Sequence, residues 1–347
     1  MLIMEGVGFY KHGGPEVLKR IDAPDPIPGN RDVVVGSIAT SVNRIDILSR
    51  VGYHGLEVEM PHFPGSDIIG IVEKVGRDVD NVSVGEKVTA NNTYGCGKCQ
   101  ACRSGDATLC ADWKMIGLDV NGTYASMVKI PASSIFRPPK RFSDYEIASM
   151  SHNMTVVWRA LRTIGKVSAE EVVVIRGASG NAGIFAVMIA KALKMKVVAL
   201  SRNSEKRRRL RQLGADLTLN PKDGKEHLKK AVLDFTDGKG ADIVIESFGA
   251  TAGESIEWLR PGGRAVVFGS IAGTQAKVSV PSLYLNGASI LGTHNASTKD
   301  FSEAFEFAVR HNIRPIIARV MDISQAKIAQ TMLEQAEPFG KIILKHW

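Results

Sequence analysis

Cys96, Cys99, Cys102 and Cys110 are spaced C-x2-C-x2-C-x7-C, and the chain has no other cysteine. Four thiolates so close in sequence can wrap one tetrahedral zinc, with Zn–S bonds of about 2.3 Å. Gly95, Gly97 and Gly105 allow the tight turns this requires. A closed four-sulfur shell leaves no position for substrate, so one structural Zn2+ per chain is expected. Iron suits the same ligands, and unmetallated thiols or two disulfides are the plainer alternatives. Disulfides draw no support from MLIMEGVGFYKHGGPEV, which lacks the basic and apolar regions of a secretory signal.

A second constellation follows a β-branched run at Val172–Ile175. It reads Gly177-Ala178-Ser179-Gly180-Asn181-Ala182-Gly183 and opens an apolar helical stretch. Glycines there let the backbone approach a pyrophosphate, whose charge suits the free N–H groups of a helix N-terminus. The bland alternative is a tight strand–helix turn with no ligand. The next strand ends in Leu200-Ser201-Arg202-Asn203-Ser204-Glu205-Lys206. An NAD site wants an acidic residue at that place, to take the ribose hydroxyls. Ser201, Arg202 and Lys206 suit a 2′-phosphate instead, so NADP(H) is the expected cofactor.

These residues need elements to hold them. At 347 residues the chain is long enough for two domains, and 44% apolar with 23% charged residues is ordinary for a soluble protein. Its longest apolar stretches, such as residues 184–190, are too short to span a bilayer, so a cytoplasmic protein without membrane partners is expected. The net charge of +8 suits phosphorylated ligands, although the Lys206-Arg207-Arg208-Arg209 run is most simply a solvated helix face. Residues 32–38, 68–75 and 86–90 read as strands of a β-rich first half. From about residue 154 strands and helices alternate: 172–175, 182–193, 197–201, 205–213, 242–246 and 264–269. That rhythm is α/β, with a parallel sheet covered on both faces. A helix at 301–311 and a last strand at 341–345 follow.

Several further runs carry a family resemblance: Gly13-Gly14-Pro15-Glu16-Val17-Leu18, Pro64-Gly65-Ser66-Asp67, Pro261-Gly262-Gly263-Arg264 and Gly340-Lys341-Ile342-Ile343-Leu344. With the cysteines and the glycine turn, they make nearly the whole chain resemble the medium-chain dehydrogenase/reductases. This superfamily holds the zinc-type alcohol dehydrogenases and the quinone oxidoreductases. The resemblance implies a GroES-like β-rich catalytic domain from residues 1–153 and 296–347, with a structural zinc lobe at about 91–112. It implies a Rossmann doubly wound parallel-sheet domain at 154–295, and substrate in a cleft between the two. Family position also places Thr155, Phe248, Gly249, Phe268, Gly269, Ser270, Thr293 and Asn295 along the cofactor.

In alcohol dehydrogenases of this kind a Cys, a His and a later Cys or acid hold a catalytic zinc. The matching positions here are Asn43, Ser66 and His152, a poor ligand set for zinc. Ile45 and Leu48 occupy the places of the alcohol proton relay. Asn43, Asp46 and Tyr53 instead resemble the N-x-x-D…G-x-Y pattern of zinc-independent quinone and enoyl reductases. Tyr53 or His54 is then the candidate proton donor, with His152 a further candidate catalytic residue. Each also has a plain role as a cleft-wall residue or a backbone cap.

The leading expectation is NADPH-dependent reduction of an enone, enoyl group or quinone without catalytic zinc. A rebuilt metal site at Asp67 and His152, helped by Asp46 or His62, would support an atypical alcohol dehydrogenase or aldehyde reductase instead. A third alternative is an NADPH-binding, RNA-associated protein with little turnover, although the basic run is already explained by the cofactor phosphate. A homodimer or homotetramer is expected, paired through residues 277–280 and 289–291.

Overall fold

The computed structural model describes residues 3–346. The chain forms two compact units, Met1–His152 with Ala296–Trp347, and Asn153–Asn295.

Val172–Ile175 explains the second unit. Four consecutive β-branched residues, none more than 9% exposed, can only be a strand covered on both faces. The parallel sheet built on it has the order Leu217–Leu219, Lys196–Leu200, Val172–Ile175, Ala241–Glu246, Leu259–Val267, Ser289–Gly292. Numbered along the chain that order is 3-2-1-4-5-6, the doubly wound Rossmann arrangement. Val174, Val198 and Val244 pack with Leu228, Val232 and Trp258 on one face. Helices Asn181–Ala192 and Ser204–Gln212 follow the first two strands directly. Among the described residues Ser289–Gly292 pairs on one side only, with Leu259–Val267. Residues 277–279 form no strand and lead into the short helix Val280–Tyr284, so that part of the expected pairing edge is not strand material.

In the first unit the long strand Asp32–Ser41 is the hub. It pairs antiparallel with Ile69–Val75, Met127–Pro131 and the late strand Lys341–Lys345. Ser41 faces Ile343, and Val42 N–H donates to Ile342 O at 2.9 Å. Carried two residues further, that register sets Asn43 against Lys341. The chain then turns into the helix Arg44–Val51, which ends at Gly52 with φ +75°. The strand Ile317–Asp322 and the helices Lys225–Phe235 and Ala326–Glu334 go beyond the sequence expectation. Among the described residues no helix is long and apolar enough to cross a membrane.

Candidate active site and cofactor turn

The glycine turn joins Val172–Ile175 to the helix Asn181–Ala192, with Gly180 as its cap. Gly177 adopts φ +68°, a conformation costly for any residue with a side chain. A Cβ on Gly183 would lie 2.3 Å from Gly177 O, so the helix start packs directly on the turn. That closeness sets the helix N-terminus directly against the turn, the arrangement in which a helix start can receive an anionic group. Ser179 and Ser201 share a hydrogen bond at 2.8 Å, Oγ to Oγ. Arg202 is exposed beside them, and Lys206 is half-buried. Arg207 points the other way, donating to the carbonyls of Ser201 at 2.8 Å and Arg202 at 3.0 Å.

The remaining cofactor candidates follow the strand ends. The Phe248 ring edges to within 2.9 Å of where a Cβ on Gly177 would sit, bringing residues 247–249 against the turn. Gly249 has φ +76°, and a Cβ on Gly269 would come within 2.8 Å of Ser247 O. Phe268 N–H donates to Glu246 O at 3.0 Å, and Ser270 O accepts from Gly273 N–H at 3.1 Å. Thr293 Oγ1 accepts from Arg159 Nε at 2.9 Å, while Asn295 takes φ +45°. Thr155 is buried in the helix Asn153–Trp158. Sequence reading missed Glu246. Fully buried, it accepts from Phe248 N–H at 2.6 Å, Thr251 Oγ1 at 2.8 Å and Ser255 Oγ at 2.9 Å, fixing the loop that meets the turn.

The four cysteine sulfurs lie within 4.8 Å of one another. They are carried by the short helix Gln100–Arg103, the turn Ala107–Leu109 and the residues around them. A Cβ on Gly95 would come within 2.5 Å of Cys102 Sγ, so only glycine fits behind the cluster. Backbone N–H groups of Lys98 and Cys99 draw the Cys96 thiol down to about 6. Loss of water, and the sulfurs alongside, push Cys102 up to about 12. A divalent cation at the centre resolves that conflict, because it holds all four as thiolates. The donor set therefore fits zinc.

In the first unit the end of Asp32–Ser41 and the start of Arg44–Val51 meet residues 66–67 and Lys341. Asn43 Nδ2 donates to Asp67 Oδ2 at 2.7 Å and to Ser66 Oγ at 3.1 Å. Lys341 Nζ donates to Asn43 Oδ1 at 2.6 Å and to Asp67 Oδ2 at 3.2 Å. Ser41 Oγ and the His152 N–H complete Asp67, at 2.5 and 2.6 Å. Asp46 caps its own helix by accepting the Asn43 N–H at 2.8 Å, and it also accepts from Ser66 Oγ at 3.1 Å. Asn92 Nδ2 faces His152 Nδ1 at 3.1 Å. With the amide donating, a neutral ring carries its hydrogen on Nε2. Tyr53 is half-buried in the turn Tyr53–Gly55, and the side chain of His54 lies outside the described residues. His62 is engaged with Gly117 O at 3.3 Å. Among the described residues, the cysteines are the one group of three or more His, Cys, Asp or Glu close enough to hold a metal, and the alternative set around Asp67 and His152 is not assembled.

Comparison with known proteins agrees with this fold. Residues 29–140 match the alcohol dehydrogenase GroES-like domain, and residues 182–310 the zinc-binding dehydrogenase family. The chain is 32% identical over 270 residues to the L-threonine 3-dehydrogenase of Pyrococcus abyssi, covering 76% of this chain and 74% of the relative. It belongs to the medium-chain dehydrogenase/reductase superfamily. The acryloyl-coenzyme A reductase of Sulfurisphaera tokodaii is 26% identical over 335 residues, 96% of this chain and 98% of that protein. The crystal structure of an NAD-dependent alcohol dehydrogenase superposes with a TM-score of 0.90 at 29% identity, covering 98% of this chain and 99% of the other. The protein is thus an oxidoreductase, of a class that uses a nicotinamide cofactor and often zinc.

Within this medium-chain dehydrogenase/reductase the cluster is electrostatically uneven. Burial pushes Asp46 up to about 7, with the charge of Asp67 adding to the effect and the Asn43 N–H, Lys341 and Ser66 opposing it. His152 is only partly covered from solvent, yet the protein packed round it, helped by Lys341 and opposed by Asp67, lowers it to about 4. Its ring is therefore neutral at neutral pH. Burial also raises the fully buried Tyr124 well above the usual phenol range.

Proposed function

We propose that the protein reduces an activated carbon–carbon double bond, in an enone or enoyl group, or a quinone, with NADPH and without a catalytic metal. The observation that carries this reading is the bonding of Asn43 and Ser66. At positions where the family resemblance implies zinc ligands, these side chains bond to each other and to Asp67, Lys341 and Asp46. Neither offers zinc the thiolate or imidazole it favours. Bound NADPH supplies the hydride. The chain's own part is to hold the substrate carbonyl, stabilise the negative charge that develops on its oxygen, and deliver a proton. His152 Nε2–H, Tyr53 and His54 are the candidate donors to that oxygen, while Asn43 and Asp46 position the wall behind it. The acryloyl-coenzyme A reductase among the relatives supports a conjugated substrate.

Ser201, Arg202 and Lys206 favour NADPH over NADH, because the strand end offers cations and a hydroxyl where NAD would need a carboxylate. Gly177 to Gly183 cradle the pyrophosphate. Cys96, Cys99, Cys102 and Cys110 hold one structural zinc, consistent with work in the reducing cytoplasm. The one-sided strand Ser289–Gly292, with Tyr284 and Leu285 exposed nearby, suits pairing between two copies.

A second reading, alcohol or aldehyde chemistry, is favoured by the dehydrogenases among the relatives. Steady-state assays separate the two. NADPH consumption with enones or quinones, unaffected by chelators that leave the protein folded, supports the first. Alcohol oxidation abolished by chelation would replace it with the second.

A further inference from the structure

Two carboxyl groups lie side by side in the first unit, and their partners differ. Asp67 faces the Lys341 ammonium and accepts three further bonds, from Asn43, Ser41 and the His152 N–H. Asp46 accepts from neutral groups, the Asn43 N–H, Ser66 Oγ and, at 3.4 Å, the Tyr124 hydroxyl. Ser66 sits between Asn43 and Asp46, and a hydroxyl has one hydrogen and two lone pairs. One lone pair takes the Asn43 N–H at 3.1 Å. While Asp46 is a carboxylate, the Ser66 hydrogen points at it. Once Asp46 carries a proton the bond reverses: the carboxyl donates, both lone pairs of Ser66 are used, and its hydrogen turns to the one direction left.

We infer that Ser66 donates the proton that completes the reduction and that Asp46 reloads it. This rests on the reductase reading above. The Ser66 O–H bond breaks as a C–H bond forms at the electron-rich α-carbon of the reduced substrate. The Asp46 O–H bond breaks as the Ser66 O–H bond re-forms, leaving a carboxylate that water reprotonates along the same two groups after product leaves. The two electrons come with the hydride of the reduced nicotinamide. A carboxyl held at about 7 is loaded below neutrality and unloaded above it. The charged and titratable groups facing Asp46 are Asp67, which raises it, Lys341, which lowers it, and Tyr124. Lys341 is already committed to Asp67 and Asn43, so it does not strip the proton from Asp46.

The test reduces 2-cyclohexen-1-one and crotonyl-CoA with NADPH in D2O and reads the product by deuterium NMR in a chiral orienting solvent, which separates α-deuterium on the two faces. Wild-type protein is expected to place the α-deuterium on one face. Ser66→Ala should lower kcat about a hundredfold and spread α-deuterium over both faces, because water then protonates a released enolate. Ser66→Thr should restore the single face. Infrared difference spectra of the protein alone, between about pH 5 and pH 9, should show a protonated carboxyl band that Asp46→Asn lacks. Single-face product at the wild-type rate from Ser66→Ala, or product on both faces from the wild type, overturns the donor. Absence of the band overturns the reloading group. If neither substrate is consumed by the wild type, the reading beneath the inference fails instead.

Discussion

Ser179 and Ser201 join Oγ to Oγ at 2.8 Å, so the turn after the first Rossmann strand is tied to the end of the second. One hydrogen bond thus links the glycine turn to the strand end that carries the exposed Arg202. The same contact explains why cofactor choice and turn geometry should change together when this strand end is altered.

Arg202→Asp should therefore weaken NADPH binding far more than NADH binding. Replacing a cation by a carboxylate removes the partner of a 2′-phosphate and supplies one for ribose hydroxyls. The Kd for NADPH should rise at least about tenfold, with little change for NADH. Fluorescence titration with both cofactors measures the ratio, and equal losses would remove Arg202 from the phosphate site.

Metal content tests the cysteine lobe. Elemental analysis should find one zinc per chain. Cys99→Ser with Cys102→Ser should abolish it and lower Tm by about 10 °C, because binding to a structural site is part of the folding free energy. Unchanged metal in the double variant would place zinc elsewhere.

Removing the ammonium of Lys341 leaves the Asp67 charge buried and short of a partner. With side chains 2% and 0% exposed, solvent offers little relief. Lys341→Met should cost about 3–5 kcal/mol in urea unfolding. A loss below about 1 kcal/mol would mean that Ser41, Asn43 and the His152 N–H suffice for Asp67.

Stability should depend on pH through opposing groups. Asp46 moves from 3.8 to about 7 on folding, so the folded state holds its proton longer, and this contribution to stability falls as pH rises between those values. His62, His152 and His346 move from 6.5 down to about 4, so their contributions rise with pH over that interval. Above 6.5 the histidines are discharged in both states, while Cys96, drawn from 9.0 down to about 6, adds stability as pH rises in wild type and variant alike. The Tm of Asp46→Asn should therefore rise relative to that of the wild type between about pH 6.5 and pH 8. Parallel Tm curves for variant and wild type across that range would show that Asp46 ionises normally.

Local features of the chain were readable because each needs only its neighbours. The β-branched run at Val172–Ile175, the glycines at 177, 180 and 183, and the cysteine spacing all declare themselves within a few residues. The expected strand at Lys341–Lys345 also forms as read. Harder to see was what long-range register decides. Lys341 stood in the sequence as part of a closing motif, and nothing in its surroundings assigns it to Asn43. Ser66 reads in the sequence as a poor zinc ligand, and its bond to Asp46 becomes visible only when residues 43–46 and 66–67 are brought together by Asp32–Ser41 and Ile69–Val75. Glu246 reads as the polar end of an apolar strand. Its three donors lie within nine residues but depend on a loop conformation that composition does not encode. Val278 and Val280 make residues 277–280 apolar enough to suggest a pairing edge, yet Pro281 at the start of the following short helix favours the turn that forms.

The pairing of Lys341 with Asn43 spans 298 residues, and the intervening chain contains the whole Rossmann unit. During synthesis Asn43, Ser66 and Asp67 leave the ribosome long before the strand that carries their ammonium partner. Rossmann residues 153–295 are complete before that strand exists, so they can fold first while the polar cluster waits in water. The oxidoreductase can therefore assemble from the middle outward, and the polar cluster of Asn43 and Asp67 gains its ammonium only when Lys341–Lys345 slots beside Asp32–Ser41. A nascent chain halted before residue 341 could own a finished Rossmann unit and still leave the Asp67 carboxylate without its ammonium.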